Sequence, residues 1–333
     1  MEVFIKEIDY YLPDKIVTNE DLVKVFPEWS VEKIADKVGV RERRVADWNE
    51  TASDLAVKAA ESLFAKGTVR KESNDFVLFC TQSPDYKLPS SACIIQNRLG
   101  LGTNCGAFDF NLGCSGYEYG LAVAKGLIVA GIASNVLLLT GETYNHYIHP
   151  RDKGNRTIFS DGASATVIST SGFSLIGEFS LGTDGAGARH LILESGGARH
   201  PERINDLKYD EGGNPISSDF LKMDGQDIFV FTLTKVPQML KDVLGKNMLQ
   251  KEDIDLFVFH QANKYMLDHL RKKIGIEANR FFENLVHVGN TVSSTVPIAL
   301  CDARAQGKLN GNILLAGFGV GLSWGATILK CIQ

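Results

Sequence analysis

Asp75-Phe-Val-Leu-Phe-Cys-Thr-Gln82 and Asp255-Leu-Phe-Val-Phe-His-Gln261 carry one pattern twice: an acid, four apolar residues, then a polar turn, 180 positions apart. Outward from these runs, Gly113-Cys-Ser-Gly116 opens a helix-like segment, as Gly289-Asn-Thr-Val292 does 176 positions later. Val136-Leu-Leu-Leu-Thr-Gly141 returns as Ile313-Leu-Leu-Ala-Gly317 after 177. Three near-equal offsets in one order predict two fused copies of a single α/β unit, dividing near residue 172. The period is too long for a solenoid, whose repeats run roughly 20–50 residues. Short apolar runs alternating with helix-like segments predict strands buried on both faces. The expected fold class is α/β, with halves 1–172 and 173–333 whose mixed sheets are layered with helices.

That geometry matters because α/β proteins place ligands at strand ends and helix starts. Cys114 and Asn290 occupy equivalent turns of the two copies, and His260 ends a buried strand, so a pseudo-twofold would bring the three together. Tyr117, Leu121, Ala124 and Leu127/Ile128 recur at helical spacing, so a helix starts just after Cys114. Residues 182–225 break the rhythm. They are rich in Gly, Asp, Ser and Arg and read either as a solvated insertion or as a cap over a substrate tunnel.

The 333 residues are 44% hydrophobic, enough for a large core, and the net charge of −5 argues against a general nucleic-acid binder. Met-Glu-Val-Phe-Ile-Lys-Glu lacks the apolar stretch of a signal peptide. Leu127–Leu139 is interrupted by Gly131, Ser134 and Asn135, short of the ~20 apolar residues a bilayer span needs. The expectation is a cytoplasmic chain with no membrane partner. Its six cysteines (80, 93, 105, 114, 301 and 331) form no CxxC pair, so no metal site is expected.

Asn111-Leu-Gly-Cys-Ser-Gly116 sets Cys114 at a helix start, where the partial positive charge favours a thiolate, with flanking glycines that allow close approach. Alone, this reads rather as an ordinary tight turn with a buried cysteine. A lone histidine after Phe257-Val-Phe259 is ordinarily a satisfied core residue, and Asn290 alone reads as a helix cap. The combination of Cys114, His260-Gln-Ala-Asn263 and Gly289-Asn-Thr291 is more specific.

With those motifs the chain resembles the β-ketoacyl-acyl carrier protein synthase III family of thiolase-fold condensing enzymes. The resemblance runs from Tyr11-Leu-Pro-Asp-Lys15 and Gly39-Val-Arg-Glu-Arg-Arg44 through Leu88-Pro-Ser-Ser-Ala-Cys93 and Phe159-Ser-Asp-Gly-Ala163. It closes at Gly317-Phe-Gly-Val-Gly-Leu-Ser-Trp-Gly325. It implies that Cys114 takes an acyl group from a thioester, and that malonyl-acyl carrier protein then loses CO2 and its enolate attacks the acyl-enzyme. Two donors, His260 and Asn290, would hold the enolate oxygen. The Cys114 amide, with one from the Phe318–Gly321 loop, would hold the other oxyanion, so Phe318 and Val320 join the expected substrate-binding residues. The resemblance implies thioesters of coenzyme A or of acyl carrier protein as substrates, no cofactor, and a homodimer. A papain-like protease has the same residue types but a Cys-Gly-Ser-Cys-Trp signature that is missing here. A non-catalytic partner subunit would be expected to lose the cysteine. Acyl transfer to oxygen or nitrogen without decarboxylation is the remaining alternative.

Departures from the family are informative. Its Trp and Arg that clasp the adenine of coenzyme A align with Lys33 and Lys37, Trp29 sits four residues early, and a further arginine aligns with Lys153. Lysine supplies neither a stacking face nor a fork. A carrier-protein donor, or coenzyme A held differently, and a specialised pathway are therefore expected. Lys264, Arg271, Lys272 and Lys273 are the expected carrier-docking residues, although the family's basic positions become Tyr265 and Val230. Leu88 stands where a phenylalanine often crosses to the neighbour's acyl pocket, so a primer longer than acetyl is expected.

Overall fold

A computed structural model describes residues 1–331. Its centre is a ten-stranded sheet of β1 (Phe4–Tyr11), β2 (Phe76–Cys80), β3 (Gly106–Phe110), β4 (Asn135–Glu142), β5 (Gly162–Ser169), β6 (Ser174–Thr183), β7 (Leu256–Phe259), β8 (Phe281–Phe282), β9 (Gly311–Gly319) and β10 (Ser323–Cys331). From one edge the order is 3-2-4-5-1, and it continues 6-10-9-7-8. From the other edge the second set reads 8-7-9-10-6, the first with five added to each number. Directions repeat as well. β2 runs parallel to β3 and β4, and β7 runs parallel to β8 and β9, while every other neighbour in the sheet is antiparallel. The sets join where Phe4 and Ile5 of β1 pair with Leu175 and Ser174 of β6.

Six helices position the site: α1 (Val31–Val38), α2 (Ala52–Ala65), α3 (Gly116–Val129), α4 (Gly225–Lys246), α5 (Lys264–Ile274) and α6 (Thr295–Ala305). Successive strand residues face opposite sides, so each strand serves two cores. Leu78, Val136, Leu138, Val258, Ile313 and Leu315 pack with Tyr117, Leu121 and Ala124 of α3 and Val296, Ala299 and Leu300 of α6. Their alternates in β2 and β4, Val77, Phe79, Leu137 and Leu139, pack on Leu55, Ala59 and Leu63 of α2. Phe257, Phe259 and Leu314 pack instead on Val236, Leu240 and Leu267 of α4 and α5. Both strand faces are buried, which is why Val136–Leu139 reads as an unbroken apolar run.

Candidate active site

The turn before α3, the residues just past β7, the Asn290 loop, the end of β9 and the first turns of α4 and α5 meet at a cavity of about 150 Å3, and Cys114, His260 and Asn290 all line it. β3 runs into the turn that carries Cys114, and two glycines keep the sulfur's surroundings open. A Cβ on Gly319 would stand 2.8 Å from Cys114 Sγ, and one on Gly113 would stand 2.5 Å from Val320 Cγ1. Burial pushes the thiol up to about 12, while the amides of Val320 and of Cys114 itself pull the other way. This corrects the thiolate expected from the helix start: loss of water around a 6% exposed sulfur outweighs the oriented amides.

His260 follows β7, and its amide donates to Ala316 O at 2.7 Å. Its Nδ1 lies 2.7 Å from Thr295 Oγ1 at the start of α6, and Thr295 Oγ1 also reaches Val292 O at 3.0 Å. The Phe318 ring stands edge-on to the imidazole, with centroids 5.7 Å apart at 88°. Burial depresses the imidazole to about 3, so it is neutral at ordinary pH. Asn290 is stitched to the first half by its own backbone, donating to Ile158 O at 3.0 Å and accepting from the Ser160 amide at 2.8 Å. Its Oδ1 accepts from the Val292 amide at 2.9 Å, which leaves Nδ2 as a donor beside Ala262 O at 3.3 Å. The loop is strained around it. Val292 has φ of 56°, a left-handed conformation that a β-branched residue adopts only where its surroundings enforce it.

Three contributors were missed from the sequence. Thr295 sits in the same stretch as Asn290, where hydroxyl residues before Val-Pro read only as helix-start signals. Glu142 ends the apolar run of β4 and accepts from the Gln82 amide at 3.0 Å, Ser83 Oγ at 2.8 Å and Ser293 Oγ at 3.4 Å, tying the β2 turn to the Asn290 loop. Burial pushes it up to about 8 against those hydrogen bonds. A carboxylate closing a buried strand was the available signal. Thr232 of α4 also lines the cavity and carries no such signal.

The other expected residues divide. Phe318 lines the Cys114 cavity, while Val320 lines a neighbouring one of about 590 Å3 with Gln82, Tyr144 and Tyr147; Leu191 belongs to both. Lys37 and Lys153 line neither. Lys33 and Lys37 stand 5.2 and 5.5 Å over the Trp29 ring, just ahead of α1. Lys153 lines a separate cavity of about 500 Å3 and is held by Glu28 at 2.7 Å and Gly212 O at 3.0 Å. Leu88 is 82% exposed and lines no part of its own chain's site. On α5, Lys264 pairs with Asp268 at 3.1 Å and Arg271 donates to Ile276 O at 3.1 Å. Lys272 and Lys273 are exposed, as are Tyr265 and Val230. Segment 182–225 forms two small hairpin-like sheets, Leu191–Ile192 with Lys222–Met223 and Lys208–Tyr209 with Pro215–Ile216, and Leu191 and Met223 reach the Cys114 cavity.

Comparison with known proteins agrees in sequence and shape. The family model for 3-oxoacyl-[acyl-carrier-protein] synthase III matches residues 108–185, and that for its C-terminal region matches residues 244–331. The β-ketoacyl-[acyl-carrier-protein] synthase III of Caldanaerobacter subterraneus is 36% identical over 324 residues, 96% of this chain and 95% of its own. A crystal structure of a 3-oxoacyl-(acyl-carrier-protein) synthase III is 47% identical with a TM-score of 0.97, covering 99% of this chain and 100% of that one. A 3-oxoacyl-(acyl-carrier protein) synthase from Burkholderia xenovorans is 36% identical, with a TM-score of 0.90 and coverage of 99% and 94%.

Proposed function

The chain belongs to the 3-oxoacyl-[acyl-carrier-protein] synthase III family and is a condensing acyltransferase, and we propose that Cys114, His260 and Asn290 are the residues that carry its reaction. It condenses an acyl thioester with malonyl-acyl carrier protein to give a 3-oxoacyl thioester. The observation that carries the residue assignment is the meeting of all three side chains at one cavity.

Cys114 Sγ attacks the donor carbonyl, and its proton passes to His260 Nε2 and on to the departing thiol. The Cys114 and Val320 amides, which reach the sulfur, face the oxygen of the tetrahedral intermediate. Thr295 serves both roles of the imidazole. Its hydroxyl accepts from Nδ1–H while donating to Val292 O, which leaves Nε2 a base; turned towards Nδ1, it leaves Nε2–H a donor. In the second half-reaction Nε2–H and Asn290 Nδ2 donate to the malonyl thioester oxygen. The electron pair of the breaking C–C bond moves onto that oxygen as CO2 leaves. The enolate carbon then attacks the acyl carbonyl and releases Cys114.

The substrates are thioesters, and the thiol, two donors and amides supply every charge the steps need, so the reading includes no cofactor. The donor arrives on a carrier protein or on coenzyme A held differently, because Lys153 is already paired to Glu28 and Trp29 is covered by two ammonium groups. We also read the active form as a cytoplasmic homodimer, with 1–172 and 173–333 as its fused halves. β3 is an edge strand of the sheet, with Phe108, Leu88 and Tyr86 exposed near it. None of the described helices is long and apolar enough to cross a membrane. Radiolabelled malonyl-carrier protein tests the assignment: CO2 release persists in Cys114→Gln and falls by about 100- to 1,000-fold in Asn290→Ala, the usual loss for one oxyanion donor. Acyl transfer to an alcohol or amine with no CO2 release contradicts it.

A further inference from the structure

The cavity holds a polar side chain that the steps above leave unused and that has no partner of its own among the described residues, and its role rests on reading this cavity as the condensing site. α4 presents Ile228 and Thr232 to it, one helical turn apart. A helical threonine hydroxyl ordinarily returns to the carbonyl four residues back, as Thr234 on the same helix does to Val230 O at 2.8 Å. Thr232 does not. It is 0% exposed, and its Oγ1 has no hydrogen-bond partner among the described residues. Buried hydroxyls are rarely left unpaired, and because Thr232 lines this cavity a group bound there can complete it.

A malonyl thioester brings two polar ends, the thioester oxygen and, two carbons away, a carboxylate. His260 and Asn290 account for the first. Asn263, also at the cavity, caps α5 by accepting from the Met266 amide at 2.9 Å. Among the described residues no lysine or arginine lines the cavity, and Ile158, Phe159, Ile228, Met266 and Phe318 make its walls largely apolar. His260, held neutral by burial, offers the carboxylate no positive charge.

We propose that the Thr232 hydroxyl donates to the carboxylate of the malonyl thioester and sets the orientation of the C–C bond that breaks. One neutral donor fixes direction without replacing the hydration the carboxylate has lost, so the bound anion is oriented but poorly stabilised. As the bond breaks, its electron pair passes to the thioester carbonyl, the carboxylate leaves as neutral CO2, and the hydroxyl's hold on it weakens. No proton is consumed in this step.

The test is steady-state CO2 release from malonyl-carrier protein by the full chain and by Thr232→Val, Thr232→Ser and Thr234→Val. Loss of one hydrogen bond to a charged group predicts a KM about 10- to 100-fold higher in Thr232→Val. Thr232→Ser keeps the hydroxyl and stays within about threefold of the wild-type chain, as does Thr234→Val. A methylene-ketone analogue of 3-methylbutyryl-pantetheine, which has an isopropyl group in place of the carboxylate and so nothing for the hydroxyl to donate to, inhibits the wild-type chain and Thr232→Val equally, whereas a merely disturbed cavity weakens it too. A near-normal KM in Thr232→Val, failure of Thr232→Ser to restore it, or parallel weakening of the ketone overturns the proposal while the condensing reading stands. A wild-type chain that releases no CO2 overturns that reading, and this proposal with it.

Discussion

Thr295→Val removes one hydroxyl from the centre of the site with little change of side-chain shape. Thr295 and His260 are each 2% exposed, so water cannot replace what is lost. Two groups lose a partner together: His260 Nδ1, at 2.7 Å, and Val292 O, at 3.0 Å. Leaving a buried polar group unpaired costs about 1–3 kcal/mol. If that cost falls on the working orientation of the imidazole, rates drop by roughly 5- to 150-fold at 1.4 kcal/mol per factor of ten. Rapid-quench measurement of Cys114 acylation and of CO2 release follows the two half-reactions separately. Both are expected to slow, because on the proposed mechanism the hydroxyl sets Nε2 as base in the first and as donor in the second. Thr295→Ser, which keeps the oxygen, is expected to stay within a few-fold of the wild-type chain. Thr295→Val with both rates near normal, or Thr295→Ser as damaged as Thr295→Val, refutes the reasoning.

Two further outcomes follow from the charges. Burial places the folded pKa of His260, about 3, below the ordinary 6.5, so the folded chain binds fewer protons there than the unfolded one. The stability this contributes is present above pH 6.5 and is lost as pH falls towards 3, and the pH–rate profile of CO2 release has no acidic limb near 6.5. Denaturation and rate measurements between pH 4 and 8 check both, and a limb near 6.5 contradicts the neutral imidazole. Lys272→Glu with Lys273→Glu is expected to raise KM for the carrier-bound substrate and to flatten its salt dependence, because both are exposed and lie outside the ion pairs that hold Lys264. A KM unchanged across ionic strengths makes them an ordinary solvated helix end.

The α/β class was legible because period and burial leave marks on a sequence. Val136–Leu139 and Leu256–Phe259 are apolar throughout because each face of the sheet meets a helix layer. Cys114, His260 and Asn290 stood out for a different reason: each ends a strand run or opens a helix, and those positions converge in a sheet whose strand order repeats. Second-layer contacts were not legible. Thr295 and Glu142 act through partners 35 and 60 residues away, His260 and Gln82, and no local pattern encodes such a pairing. Charge was misread for a similar reason. Lys153 stood in the sequence only as the counterpart of a family arginine, and its partner Glu28 is 125 residues distant. Cys114 looked like a thiolate because a helix start is visible in sequence, whereas the loss of water around its sulfur depends on distant chain: Gly319 of β9 lies against it, and Leu191 and Met223 line the same cavity.

On the proposed mechanism the acyl group is held on Cys114 between the two half-reactions. Intact-protein mass spectrometry after incubation with a panel of acyl thioesters tests it most directly. The expected result is a mass gain of one acyl group on the wild-type chain, mapped to Cys114, absent in Cys114→Ala and discharged when malonyl-carrier protein is added. An adduct that persists in Cys114→Ala, or a wild-type chain that turns over its substrates with no acyl adduct detectable on Cys114, contradicts it.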